Sequence, residues 1–535
     1  MIPASGKDWQ RKAGLESEKL LFPLMLATIF ASKLVLIAAF PGLSPYWDQW
    51  DSEAAFLYKP YFENTLGLQQ LLSVHNEHRI LFTRLLALTL LELRGMWDTQ
   101  LQMIANSALQ AISVGVLVAL LWSGLGKRER VLVLVLTTVA MTLPLAWENT
   151  LAGFNSQWHF LSLFSLLAIK FAYRAVAFDR VWWGAMILAL MSFLSSASGS
   201  LTFFLFAVLF TLQFLSGARS GMREVASIVI ALLGFGVTFA LVPHVAGHDP
   251  LKAQDLWQFV LATARVFSWP VPDVSTAFLL VNLPVIAFGL HAWKRRPARS
   301  DWQWLLLGLA GWTALQFVSL AYGRAIQPLA SRYLDTIVIN VFINAAAGLW
   351  LLSAGRAGRL WGITASVATV WIAVIAFSLG SQAGLALEGA SDRGRVSAVH
   401  ARNVTSYLSS GNPKALEVPQ GTWAHELIPY PSSDRLRMLL DDKAIRSILP
   451  TPLSPSFNQK AAAEHLMLGG VFSESVGALK RGLLSLGWPL YFGNFLLLIL
   501  AALHIQLPLP RPAPSSREPD GHPLPPDRRL ADLEQ

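Results

Sequence analysis

The 535-residue chain contains no cysteine. That excludes a disulfide framework, a thiolate nucleophile and any cysteine-ligated metal. Charge is scarce as well: 14% of residues are Asp, Glu, Lys or Arg, against roughly 25% in soluble domains. The phosphate-cradling loop, the dinucleotide fingerprint and the H-E-x-x-H zinc motif are all missing, and no internal repeat is visible. In their place stands a 54% hydrophobic composition, distributed in runs long enough to cross a bilayer. The class is therefore a polytopic membrane protein. Its net charge of +9 points to basic loops on the cytoplasmic side, not to nucleic acid.

The charged stretch 1–20 precedes an apolar run at 21–41. That run is too long for the core of a cleaved signal and reads as a first span entering from the cytoplasm. Further runs lie at 100–123, 131–147, 157–177, 181–197, 200–216, 225–243, 275–293, 302–321, 333–354, 360–380 and 485–506. The expected fold is thus all-α, with about twelve transmembrane helices and both termini cytoplasmic. On that count "GKRER" (126–130), "YRAVAFDR" (173–180), "SGARSGMR" (216–223), "KRRPAR" (294–299) and "GRAGR" (355–359) all face inward, as the positive-inside rule requires. A Pro-rich tail, 507–535, reads as a disordered cytoplasmic extension. Segment 381–484, of mixed polarity, reads as a small outer portion.

The run 80–93 tests this count. A span there would turn every later basic loop outward. Fourteen residues rise only about 21 Å against about 30 Å of hydrocarbon. Arg84 and Glu92 lie within it, and each charge at the bilayer centre costs about 2.5–3.5 kcal/mol. The stretch 69–94 is therefore expected to be an interfacial helix on the outer face, with a re-entrant half-helix as the alternative, opened by the polar string "SVHNEHRILF" (73–82).

Four outer segments carry polar groups beside aromatics. "SPYWDQWDSEAAF" (44–56) places Trp47 beside Asp48, with Asp51 three residues on, on one face if the segment is helical. The helix start at 75–79 offers His75, Asn76, Glu77, His78 and Arg79, with His75 and Arg79 one turn apart. "WENTLAGFNSQWHF" (147–160) holds Glu148, Asn149 and Gln157 at a turn between spans. "AYGRAIQPLASRY" (321–333) places Arg324 and Arg332, with Tyr333, on the side where basic residues are unexpected. Each cluster has a structural explanation in caps, turns and paired charges. Together they offer bases, and guanidinium groups that fit phosphate bidentately. No cofactor is required, and no metal site is predicted. A divalent cation shared by His75 with Asp48 or Asp51 is compatible with the residues but not called for by their spacing.

In layout the chain resembles the GT-C superfamily of integral membrane glycosyltransferases, which use polyprenyl-phosphate-linked sugars. One span leads into a long outer loop, 42–99, with acidic residues just past the membrane; interfacial helices, a many-span bundle and an outer C-terminal portion follow. The strings "YWDQWD", "HNEHRI", "ENTLAGFNSQW" and "YGRA…SRY" look like those of a bacterial branch of this kind. The resemblance implies a catalytic module over 21–380 in the inner (plasma) membrane, with its site on the periplasmic or extracellular face. It implies an inverting transfer from an undecaprenyl-phosphate-type donor to an envelope glycan, lipid or protein. Asp48 or Asp51 would be the general base, although the usual adjacent acidic pair is here spaced as D-Q-W-D. Arg324, Arg332 and Arg79 would hold the donor phosphate. Trp47, His75, Asn76, Glu77, His78, Glu148, Asn149, Gln157 and Tyr333 would bind or orient substrate.

Two other classes compete. A transporter or flippase of a lipid-linked saccharide is compatible with twelve spans, but would place ionisable groups near the midplane. An assembly protein would use 381–484 to bind a partner.

Overall fold

In a computed structural model the chain is described over residues 6–271, 275–355, 361–450, 453–454 and 466–506. The tail expected at 507–535, the first five residues and most of "GRAGR" lie outside these residues.

Fourteen longer helices organise the described chain: α1 (Gly6–Ala39), α2 (Leu81–Arg94), α3 (Thr99–Trp122), α4 (Lys127–Thr142), α5 (Ser156–Ala172), α6 (Arg180–Phe193), α7 (Ser200–Leu215), α8 (Met222–Ala240), α9 (Leu256–Ser268), α10 (Phe278–Arg295), α11 (Trp302–Gly323), α12 (Leu334–Ala354), α13 (Trp361–Ser410) and α14 (Ser473–Gln506). Four of their starts are capped by short acidic side chains. Asp98, Asp179, Asp255 and Asp301 each accept a backbone N–H in the first turn of α3, α6, α9 and α11, relieving the unpaired donors of a helix start.

Eight helices, α1, α3, α7, α8, α11, α12, α13 and α14, are long and apolar enough to cross a membrane. Helices also occupy the other four expected positions. Three of these, α4, α6 and α5, have 16, 14 and 17 residues. The fourth, α10, ends in Lys294 and Arg295.

The stretch expected as one interfacial helix over 69–94 is broken in two. A short helix, Leu68–Leu72, is followed by a tight hairpin in which β1 (Val74–His75) pairs with β2 (His78–Arg79). Asn76 adopts φ +51° to make the turn, a conformation Asn tolerates better than most residues. His75 and Arg79 are therefore cross-strand groups, not one helical turn apart. Helix α2 begins only at Leu81 and stops after 14 residues at Gly95 (φ +71°), the left-handed cap that glycine supplies most easily. Its buried charges find partners, apart from Arg84 Nε, which has none among the described residues. Arg84 donates to the carbonyls of Gln70, Leu71 and Ser73, and Glu92 accepts from the backbone N–H of Met467 and Leu468 and from Tyr61.

The boundary drawn at 380 falls inside a single helix. α13 runs 50 residues without interruption. Beyond it the chain folds back on the first loop, so the two share one core. Trp50, Tyr58, Leu91 and Trp97 pack there with Val404, Leu436, Leu440 and Ile448. Loss of an aromatic from such a core costs about 3–5 kcal/mol.

The basic loops meet at the far end of the bundle. Arg219 and Arg299 both pair with Glu224, at 2.6 and 2.7 Å, and Trp302 donates to the Leu120 carbonyl. The loops after α3, α5, α7 and α10 thus lie together.

Candidate functional site

Asp48 precedes a π-helix, Gln49–Tyr58, an uncommon element that recurs at functional sites. A buried carboxylate pins this helix: Glu53 accepts from Trp97 Nε1 (2.7 Å), Gln102 Nε2 (2.9 Å) and Gln49 Nε2 (3.2 Å). Burial pushes Glu53 above the usual carboxylate range, against those hydrogen bonds. The wider π turn, closed by i→i+5 bonds, separates the two aspartates instead of aligning them. Asp51 accepts from Tyr430 Oη and from Arg435 Nη2 (3.2 Å). Burial and the Asp51 carboxylate push the Tyr430 hydroxyl well above its usual range. Asp48 remains 38% exposed and meets His75 Nε2 at 3.4 Å.

One residue upstream, Trp47 holds φ +53° while its N–H donates to the Pro429 carbonyl at 2.7 Å. Beside it Tyr46 is covered by the guanidinium of Arg393, 3.6 Å from the ring centroid, and stacks on His400. Arg393 and His400 both ride on α13.

The hairpin connects Asp48 to a second cluster. Glu77 accepts from Arg324 Nη2 (3.2 Å) and lies 2.5 Å from His248 Nδ1. Burial pushes Glu77 up, but the His248 hydrogen bond and the neighbouring cationic charge outweigh it and hold the carboxyl at about 2. His78 receives the Ala197 N–H at Nδ1 (3.3 Å), and burial lowers it to about 4, so the ring is neutral at pH 7.

Glu77, His78, Arg324 and Lys252 line a cavity of about 320 Å³. Its walls are mainly apolar, with Trp158, Phe239, Phe317 and Leu320 contributing. Tyr333 closes one side and packs edge-on against Trp158.

The third expected cluster is a support. Glu148 takes Arg332 in two ways, from Nη1 (3.2 Å) and from the backbone N–H (2.9 Å). Asn149 donates to the Arg332 carbonyl and to Asp335, both at 2.9 Å. The Arg332 guanidinium lies over Tyr333.

Of the residues singled out from sequence, Asp48, His75, Glu77, His78, Arg324 and Tyr333 are brought into one region. Glu148, Asn149 and Arg332 form its floor. Asp51 turns instead to Tyr430 and Arg435 in the segment beyond α13. Arg79 donates to the Leu72 and Leu241 carbonyls, tying the hairpin to the end of α8. Gln157 is buried, its Oε1 without a hydrogen-bond partner. Asn76 shapes the turn. His248, Lys252, Arg393 and His400 were not anticipated. The first two sit in "GHDPLK" (247–252), which reads as an ordinary polar turn, and the other two in a stretch without motif. Among the described residues no group of three or more His, Asp or Glu side chains is spaced to hold a metal.

Comparison of the chain with family models, with curated proteins and with solved structures gave no match.

Proposed function

We propose that this protein is a membrane glycosyltransferase of the GT-C kind, moving a sugar from a polyprenyl-phosphate donor to an envelope acceptor. The observation that carries the reading is the hairpin at 74–79. Through His75 it touches a half-exposed carboxylate, Asp48, and two residues later, through Glu77, it holds Arg324 on the wall of an apolar cavity. A lipid-borne phosphate needs that pairing: an oily channel for the chain, cations for the headgroup and a base within reach of the aqueous acceptor.

On this reading Arg324 and Lys252 receive the phosphate. The acceptor hydroxyl attacks the sugar's anomeric carbon from the face opposite the phosphate, and Asp48 takes its proton as the new bond forms. The bond from that carbon to the phosphate oxygen breaks, and the phosphate keeps the electron pair. Cations stabilise this anion, so no second carboxylic acid is needed, in contrast to glycoside hydrolysis. His75 orients Asp48, and Glu77 orients Arg324. The twelve-crossing arrangement, counting α4, α5, α6 and α10 with the eight longer helices, belongs to the same proposal. It puts both chain ends on the side opposite the site.

The test is bond cleavage. Purified protein in nanodiscs is given a polyprenyl-phosphate sugar labelled in the sugar, with a crude envelope acceptor fraction. Release of free polyprenyl phosphate that stops in Asp48→Asn supports the reading. Movement of the intact labelled lipid between leaflets, with no release, would instead identify a flippase. That alternative draws on the ionisable groups Lys33 and His159, buried within or beside the spans, and on the half-buried Asp335.

A further inference from the structure

Lys33 lies on α1, within its membrane-crossing part, and is 2% exposed. Among the described residues its ammonium makes a single long hydrogen bond, 3.5 Å to the Leu143 carbonyl, and no ion pair. The nearest acid acting on it is Asp335. That carboxylate is already taken by Gln110 Nε2 at 2.6 Å and Asn149 Nδ2 at 2.9 Å. A lysine in a span ordinarily snorkels to water or pairs. This one does neither.

It does face space. Lys33 lines a cavity of about 350 Å³ between α1, α13 and α14, with Ser32, Pro144, Gly384, Leu387 and Trp488 among the other walls. Leu387 and Trp488 are half exposed on the bundle's outer surface, where acyl chains run. A side chain added at Gly384 would meet nothing within 4 Å. The cavity shares no helix with the one beside Arg324.

We propose that this cavity is a second lipid site, which takes a phosphate-bearing lipid with its headgroup on Lys33 Nζ and its chain between α13 and α14. The charge argues for an anion, and the apolar walls at membrane depth argue for a lipid-borne one. An apolar chain alone would leave the ammonium unpaired, which is the costly state.

Native mass spectrometry of the full chain with farnesyl monophosphate as probe tests this. The wild type is expected to hold two equivalents. Lys33→Gln and Gly384→Phe, the second keeping the charge but filling the space, should each lose one, weakening that site at least about tenfold, or about 1.4 kcal/mol. Arg324→Gln should lose the other. A single equivalent in the wild type that survives Lys33→Gln would overturn the proposal. So would two equivalents retained in both Lys33→Gln and Gly384→Phe, or displacement of the second equivalent by an equal concentration of inorganic phosphate. Retention of both equivalents in Arg324→Gln would count against the donor cavity and leave the Lys33 site standing.

Discussion

Asp48 and Asp51 are three residues apart and point to different partners: Asp48 to His75 at 3.4 Å, Asp51 to Arg435 at 3.2 Å. One carboxylate is left half open beside the cavity cluster. The other is spent on docking the segment that carries Arg435.

The two aspartates should therefore fail differently. Asp48→Asn is expected to lower turnover by about 10²–10⁴-fold, the usual worth of a positioned base, with unchanged protease resistance. Asp51→Asn should leave turnover far less affected and make the 411–450 region easier to cleave, because a charge-assisted hydrogen bond worth about 1.5–3 kcal/mol is weakened. Equal kinetic losses with equal protease resistance would contradict this division. Arg435→Ala should reproduce the Asp51→Asn pattern.

On the cavity side, Arg324→Gln should reduce kcat/KM for a polyprenyl-phosphate donor by about 10²–10³-fold, the scale of one lost stabilising donor. Glu77→Gln leaves the guanidinium in place but unanchored. Its expected signature is a raised donor KM with a smaller change in kcat, and partial rescue by Glu77→Asp. A kcat loss in Glu77→Gln matching that of Arg324→Gln would contradict the positioning role.

His78 gives the fold a pH dependence with a definite sign. Its folded pKa, about 4, lies below the ordinary 6.5. Between those values the unfolded chain binds more protons, so stability is lost as pH falls from 6.5 towards 4. The depressed Glu77, at about 2, adds a loss only below about pH 4.5, on the way down to 2. Apparent melting temperature should therefore drop between pH 6.5 and 4.5 in the wild type and drop less in His78→Gln. Identical profiles would remove His78 as the cause.

The lack of native cysteine makes topology directly measurable. Thr65→Cys and Ser410→Cys, both at exposed positions, should react with an impermeant maleimide from one face. Ser220→Cys and Arg296→Cys, also exposed, should react only from the other. Labelling of all four from one face would break the twelve-crossing count.

Much of this arrangement was legible in the sequence, for reasons that can be named. Apolar runs marked the helices, because membrane length is a one-dimensional property. Loop charge kept 80–93 out of the spans, and α2 is indeed too short for one. The hairpin was not legible. "HNEHR" carries no apolar periodicity, so nothing local distinguishes a helix start from a turn, and Asn76 takes its positive φ in a turn that other elements anchor. Nor was the continuity of α13 visible. The apolar run ends near 380, and polar residues such as Asp392 and Arg395 can continue a helix as easily as leave it. Arg393 was missed because its partner Tyr46 lies hundreds of residues away, and Lys252 because it pairs with Asp249 inside what reads as an ordinary polar turn.

α13 carries one more consequence. Fifty residues at 1.5 Å each make a rod of about 75 Å, more than twice the hydrocarbon thickness. Its apolar half packs against the bundle through Trp371, Ile375 and Leu379, and its polar half bears Arg393, His400 and part of the core shared with 411–450. Such a rod is a lever: a tilt of about 5° at its foot sweeps its tip through about 6 Å. Arg393 and His400 hold Tyr46, two residues from Asp48, so the rod that enters the bundle also fixes the segment carrying that carboxylate.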